Sequence, residues 1–304
     1  MELLWFVRRG YFNFNPIPIG KFGSCLIEIF VIVVMAVFPS PLSTYARNQD
    51  DPQPPVSWVN PQLPDGPGLT HHVLASKIMN HDVGYVVWTP KDYDDSGTTR
   101  YPVIYFLHGM GGNEASDSAG FSELAARGIN AGTLQPAICV FPNGGRSGYR
   151  GEVEKMIIEE LIPLIDKNYP TKAEARSRAV AGFSMGGAGA VRLSMIHPEM
   201  FCVAGSWGGG MWRDADTLLA AAEKEAETLK SNHFAVLLIN GDQDRPEAFT
   251  ALADKLILLE IEHLVVILKD TPHNLGLYYQ HTGDRMIQFL GDHLKNNVTP
   301  IIRP

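Results

Sequence analysis

"RAVAGFSMGGAGAVRLSMIHP", residues 178–198, decides how the rest of the chain is read. An apolar run ends on one serine set between glycines, and a run of small residues with helical character follows. If the run is a strand, Ser184 stands on a tight strand-to-helix turn that strains its backbone and lifts its Oγ clear of the sheet. Gly182 and Gly186 are then required, because a Cβ at either place would crowd the strand against the helix. The opening helix also leaves free N–H groups beside the serine, which suits a developing oxyanion. The rival reading is a glycine-rich turn that merely connects strand to helix, or one that cradles a phosphate, for which the G-K-[ST] of a phosphate loop is missing. G-x-S-x-G arises by chance in about one chain in ten of this length. The decision therefore rests on partners elsewhere.

Outward from this stretch the chain alternates two kinds of segment. Short β-rich runs are "HHVLASKIM" (71–79), "VGYVVWTP" (83–90), "PVIYFLHG" (102–109), "PAICVFPNG" (136–144), "CVAGSWGG" (202–209), "FAVLLINGD" (234–242) and "HLVVILKD" (263–270). Helical patterns lie between most of them, among them 121–132, 152–169, 187–198, 214–232 and 247–260, and 282–297 follows the last strand. The first two runs are joined at Asn80, His81 and Asp82 and predict an antiparallel hairpin. The later runs are continuously apolar, as parallel strands buried on both faces require. The expected architecture is α/β: a mostly parallel central sheet with an antiparallel N-terminal hairpin and helices on both faces. In such sheets the chemistry collects at the carboxyl ends of strands.

That rule tests each candidate residue. Serine is a poor nucleophile until a base takes its proton. "LLINGDQDRPEAF" (237–249) places Asp242 and Asp244 at the end of the next-to-last strand, and "VVILKDTPHNLG" (265–276) places His273 just past the last one. Of ten histidines, His273 is the first after the last strand, three residues beyond its end and ahead of the helix pattern at 282–297. Asp244 is preferred over Asp242, which directly follows Gly241 and is placed to hydrogen-bond its own turn. "YFLHGMGGNEAS" (105–116) ends another strand in a glycine-rich loop, so the N–H groups of Met110 and Met185 are assigned to an oxyanion hole. His108 is read as a brace for that loop.

The 304 residues carry a formal net charge of −8, which argues against nucleic acid as a partner. Arg8, Arg9 and Lys21 precede the apolar Ile29–Phe38, and Thr44 and Ala46 are spaced like a cleavage site. Residues 1–46 are expected to be a signal peptide, with an uncleaved membrane anchor as the rival, and the mature protein to be secreted or periplasmic. Once cleaved, it needs no stable membrane contact. Residues 47–67 read as a linker, 68–296 as the catalytic domain and 297–304 as a tail. Cys139 and Cys202 sit in apolar runs and are expected to be buried thiols. No Cys/His spacing of the zinc kind occurs, and no metal or cofactor is expected.

The sequence resembles the α/β-hydrolase esterase family of feruloyl esterases, acetyl xylan esterases, S-formylglutathione hydrolases and mycolyltransferases. The matching pieces are "YPVIYFLHGMGGNE" (101–114), "EELIPLIDKNYPT" (159–171), residues 178–209, "INGDQD" (239–244) and "PHN" (272–274). The resemblance implies Ser184 as nucleophile, Asp244 as acid, His273 as base, and the Met110 and Met185 N–H groups as oxyanion donors. It implies a serine carboxylesterase acting on feruloyl or acetyl esters of polysaccharide, or on related small esters. The alternatives are an acyltransferase, an S-formylglutathione hydrolase, or a non-catalytic carbohydrate-binding protein on the same scaffold. Many relatives have Gly before the histidine and Trp soon after it, where this chain has Pro272 and Tyr278. Trp207, Trp212 and Tyr278 are candidates to line the substrate pocket, with core packing of Trp207, Trp212 and Met211 an equal alternative. Residues 208–232 are a candidate lid.

Overall fold

The computed structural model describes residues 55–62 and 64–294. Among them, eight strands form one sheet: β1 (Leu69–Ser76), β2 (His81–Trp88), β3 (Val103–Leu107), β4 (Ile138–Pro142), β5 (Arg178–Phe183), β6 (Val203–Trp207), β7 (Ala235–Gly241) and β8 (Glu262–Leu268). Their order is β1-β2-β4-β3-β5-β6-β7-β8. β1 and β2 pair as the expected hairpin, Ser76 opposite His81, with Asn80 taking the turn at φ 56°. β2 is antiparallel to β4, and every later pairing is parallel.

The helices are α1 (Ser118–Asn130), α2 (Glu152–Lys155), α3 (Ile162–Asn168), α4 (Met185–Ile196), α5 (Ala215–Lys224), α6 (Ala226–Ser231), α7 (Thr250–Leu258) and α8 (Leu275–Leu294). A π-helical stretch, Met156–Leu161, joins α2 to α3, where the sequence pattern reads as one helix. Glu160 in this stretch accepts hydrogen bonds from the Lys77 and Ile78 N–H groups at 2.9 and 3.2 Å and so closes the β1–β2 turn.

Period-two alternation divides the sheet's side chains between two cores. Tyr105, Val180, Ala204 and Leu238 face one side, together with Ile165 and Leu193 of α3 and α4. Phe106, Ala181, Val203 and Leu237 face the other, with Leu124 of α1 and Ile287 of α8. Every residue of β3, β4 and β6 is buried, which is why their sequences show continuous apolar runs rather than alternation. Cys139 and Cys202 are free and buried in the second core, and burial pushes the Cys202 thiol up to about 12.

The connection from β3 leads to β4 on one side, and the next strand, β5, lies on β3's other flank. Strand order reverses at this point, so the carboxyl ends of β3 and β5 frame a crevice. The approach of β3, β5 and α4 there leaves no room for side chains. A Cβ on Gly182 would stand 2.5 Å from the Gly186 backbone, and one on Gly186 would collide with the Leu107 carbonyl.

The linker reading of 47–67 needs correction for its described part. Trp58 packs against the core, and its carbonyl accepts the Gly84 N–H at 2.6 Å. The Ser57 carbonyl accepts the Asn143 amide at 2.9 Å, and the Pro67 carbonyl accepts the Trp88 indole at 3.1 Å. Polar, proline-rich composition conceals a strap fixed mainly through its backbone. The leader at 1–46 and the tail at 297–304 lie outside the described residues.

Gly186→Ala is expected to destabilise the fold by about 1–3 kcal/mol, the usual cost of overpacking. Urea denaturation reads it, and an unchanged midpoint would mean that β3 and α4 can separate without penalty.

Candidate active site

Ser184 directly follows β5 and caps α4 with φ 56° and ψ −117°, a conformation that L residues rarely adopt. Its N–H is tied to the Trp207 carbonyl at 2.8 Å, so the turn is fixed from the neighbouring strand. A serine at a helix N-cap normally spends its hydroxyl on the first turn. Here Oγ makes no capping bond and lies 2.8 Å from Nε2 of His273.

His273 leaves the loop after β8 with its ring stacked on Phe183, centroids 4.7 Å apart. Its Nδ1 lies 2.7 Å from Oδ2 of Asp244. Asp244 is buried, follows β7, and also accepts the Tyr278 hydroxyl at 2.6 Å. The Asp244 N–H donates to the Gly241 carbonyl at 3.0 Å, and the Asn240 amide donates to the Asp244 carbonyl at 3.2 Å. Asp242 is exposed, and its Oδ1 accepts the Thr271 N–H at 3.2 Å. The two carboxylates thus divide: Asp244 faces the histidine, while Asp242 joins the β7 and β8 loops.

The N–H of Met185 opens α4 beside Ser184, where the first intrahelical bond is Ala188 N–H to the Ser184 carbonyl at 3.0 Å. Across the crevice, the loop after β3 brings Gly109 and Met110 alongside; a Cβ on Gly109 would lie 3.5 Å from that of Ser184. Met110 is exposed and lines a cleft of about 370 Å³ that also contains Ser184, Met185 and Trp212.

Two groups hold that loop. His108 is buried, with Nδ1 2.8 Å from the Gly109 carbonyl and Nε2 2.9 Å from the Gly144 nitrogen. A carbonyl only accepts and an N–H only donates, so Nδ1 carries the proton and Nε2 is bare. Burial holds the ring below the ordinary imidazole value, in keeping with this neutral form. Glu114, also buried, accepts the Asn60 N–H at 2.6 Å and the Asn143 amide at 2.7 Å, and meets His71 Nε2 at 2.9 Å. It joins the loop to the N-terminal strap and to the loop after β4.

A family model described as "Putative esterase" matches residues 76–260, more than half of the chain. The chain belongs to this esterase family. It is 37% identical over 153 residues to Esterase Rv1288 of Mycobacterium tuberculosis, covering 47% of this chain and 32% of that protein. It is 31% identical over 202 residues to an endo-1,4-beta-xylanase/feruloyl esterase of Xylanibacter ruminicola, covering 63% of this chain and 26% of that protein. The chain therefore spans a third or less of the length of these curated relatives. A solved ferulic acid esterase matches with TM-score 0.65 and 21% identity, over 74% of this chain and 98% of that one. FphF, a fluorophosphonate-binding serine hydrolase of Staphylococcus aureus, matches with TM-score 0.61 and 17% identity, over 74% and 99%. The shared fold is that of the α/β-hydrolase esterases.

Against this esterase frame, two pocket assignments require correction. Trp207 is fully buried, its indole donating to Thr282 Oγ1 at 3.0 Å and packing on Tyr279. It ends β6 on the face that α8 covers, so it is core. Tyr278 is also fully buried, and its hydroxyl accepts the Gly241 N–H at 2.8 Å while donating to Asp244. Burial, and then the Asp244 bond, push its phenol up, so it remains a donor. It clamps the loop that carries Asp244 and does not line the cleft at Ser184. Of the three aromatics, Trp212 alone borders the cleft, and Met211 is buried in the core. Within 208–232, Leu218, Ala222 and Leu229 are buried, and Trp212 and Arg213 border the cleft. Much of that segment is thus anchored in the core, and its turn at Trp212 and Arg213 is the part that borders the cleft.

Sequence reading misses the three cleft arginines, Arg146, Arg150 and Arg213. A signal for two of them is present in "GGRSGYRG" (144–151), where basic residues stand in a glycine-rich loop after a strand.

His108 supplies a pH test. Its folded value lies below the ordinary 6.5, so the unfolded chain binds the proton more tightly. Its contribution to stability is full above that ordinary value and is lost as pH falls below it. His108→Asn should lower stability by about 1–3 kcal/mol at pH 8, with a smaller deficit at pH 5. Thermal unfolding of both proteins across this range checks the difference, and a deficit that grows on acidification would contradict it.

Proposed function

We propose that the protein is a serine carboxylesterase working through an acyl-enzyme. The observation that carries the reading is the unbroken line of contacts from Ser184 Oγ to His273 Nε2 at 2.8 Å and from His273 Nδ1 to Asp244 Oδ2 at 2.7 Å. In this mechanism Oγ attacks the ester carbonyl carbon as its proton passes to Nε2. The carbonyl oxygen becomes an oxyanion held by the Met185 and Met110 N–H groups. The tetrahedral species collapses, the C–O bond to the alcohol breaks, and Nε2 returns the proton to the departing oxygen. Water repeats the sequence on the acyl-enzyme and frees the acid. Asp244 keeps Nδ1 protonated and stabilises the imidazolium, and Tyr278 keeps Asp244 in place.

The substrate we propose is a feruloyl or acetyl ester of a polysaccharide, or a related small ester. The xylanase/feruloyl esterase relative supports this class. Trp212, 44% exposed at the cleft, offers a flat face to an aryl group or a sugar ring.

Ser184→Ala is expected to lower kcat by on the order of 10⁶, the scale for loss of one member of a triad. A fluorophosphonate probe should label Ser184 and no other residue, as read by mass spectrometry. Asp244→Asn should cost about 10⁴ by leaving His273 in the wrong tautomer. Asp242→Asn, which touches only the loop joint, should stay within about tenfold, the value of one ordinary hydrogen bond. Turnover of short acyl nitrophenyl esters measures all three, and the reverse ranking of the two aspartates would overturn the assignment.

We also propose export with removal of residues 1–46, on the basic, apolar and small-residue order of the N-terminus. Mass spectrometry of protein from the native host should find a chain beginning at Arg47. A full-length chain in the membrane fraction would instead mean an uncleaved anchor.

A further inference from the structure

The cleft beside Ser184 has a charge that the proposed reaction does not require. Arg146, Arg150 and Arg213 all border it, and none of the described residues lining it is acidic. The chain as a whole carries −8. Three guanidinium groups around one cavity with no acidic residue in its described lining make it a favourable place for an anion.

Arg150 is held in position by an ion-pair network. Arg150 donates through Nε at 2.7 Å and Nη2 at 2.6 Å to Oδ2 of Asp214, just outside the cleft. Asp214 is shared with Arg192 at 3.2 Å, and Arg192 is held in turn by Glu154 at 2.9 Å. Two carboxylates and two arginines thus form one network, which fixes the Arg150 guanidinium beside the cleft. The guanidinium of Arg150 lies over Gly148, where a Cβ would stand 3.4 Å from Nη1.

Both segments that carry these arginines pass through left-handed backbone. Gly145, Gly148, Tyr149 and Gly151 have φ of 54°, 66°, 56° and 61°. Tyr149 is fully buried, its hydroxyl donating to the His108 carbonyl at 3.1 Å, so Arg146 and Arg150 flank an anchor driven into the core. In the other segment, Trp212 stands at φ 39° immediately before Arg213. Strain of this kind persists where the surroundings impose it, and it concentrates at ligand clamps.

We propose that this cleft selects esters bearing an anionic group, which the Arg146, Arg150 and Arg213 guanidinium groups hold while Ser184 acts on the ester. The planar donor fork of arginine matches a carboxylate or a phosphate. The cleft's 370 Å³ equals the volume of about a dozen waters, enough for a charged substituent next to the reacting carbonyl. The inference rests on the esterase reading and goes beyond it by naming what the substrate carries.

Two matched pairs of esters test it. 4-Nitrophenyl hydrogen glutarate and its methyl ester differ by one charge on the acyl side. 4-Acetoxybenzoate and its methyl ester differ by one charge on the alcohol side. With each kcat/KM divided by the uncatalysed rate, the anionic member of at least one pair should lead by about tenfold or more, the scale of a charge-assisted hydrogen bond. The lead should shrink as salt rises. Arg146→Gln with Arg213→Gln should bring the ratio toward one, and Arg213→Glu should bring it lower still. A ratio of one or below in both wild-type pairs, or one that these substitutions do not move, would overturn the proposal. In that case, neutral-ester turnover abolished by Ser184→Ala would leave the esterase reading standing. If none of the four esters is hydrolysed, the esterase reading fails and the proposal fails with it.

Discussion

The close approach of β3, β5 and α4 at Ser184 is the constraint on which the rest of the structure depends. With φ at 56° the serine cannot relax into strand or helix, and its N–H is committed to the carbonyl of Trp207. This geometry turns Oγ away from the helix it would otherwise cap and toward the histidine. Gly182 and Gly186 then become obligatory, because the carbonyl of Leu107 and the helix backbone occupy the space a Cβ needs. The strain is sustained by a sheet buried on both faces, where moving one strand means moving two cores.

This constraint also explains how much of the fold and the site is legible in the sequence. The motif around Ser184 has few ways to be built, so its glycines carry their positions in the residue pattern itself. The parallel strands are equally plain, because burial on both faces writes itself as a continuous apolar run. Asp244 is separable from Asp242 because the second position after a turn reaches further than the first. Trp207 and Tyr278 mislead for one shared reason: an aromatic near a catalytic loop reads the same whether it faces solvent or the sheet. Their direction is set by α8, which closes over β6 and β7, and no local pattern records that. The strap at 55–62 escapes for the opposite reason, because its bonds run largely through backbone groups that composition does not report.

Tyr278 shows how a fully buried side chain can serve the proposed site. Asp244 is buried and would be free to rotate on a loop where the next residue, Arg245, stands at φ 47°. One hydroxyl bonds both the carboxylate and the Gly241 N–H, so the acid and the end of β7 are fixed by a single atom of α8. His273 leads into the same helix. His273 and Tyr278, the residue that holds Asp244, therefore stand on one continuous segment of chain.

The opposite wall is built on another plan. His108, Glu114 and Asn143 join the loop after β3 to the loop after β4 through hydrogen bonds from buried groups, and Tyr149 extends the joint beneath the arginines. A neutral His108 suits this position better than a cation would. A charged ring would lose its acceptor role toward Gly144 and add a fourth positive charge behind a cleft that already holds three. The loop that presents the Met110 N–H and the loop that presents Arg146 and Arg150 are therefore one mechanical unit. A carbonyl held by the proposed Met110 and Met185 N–H donors and a charged group seated among the arginines would each fix the position of the other.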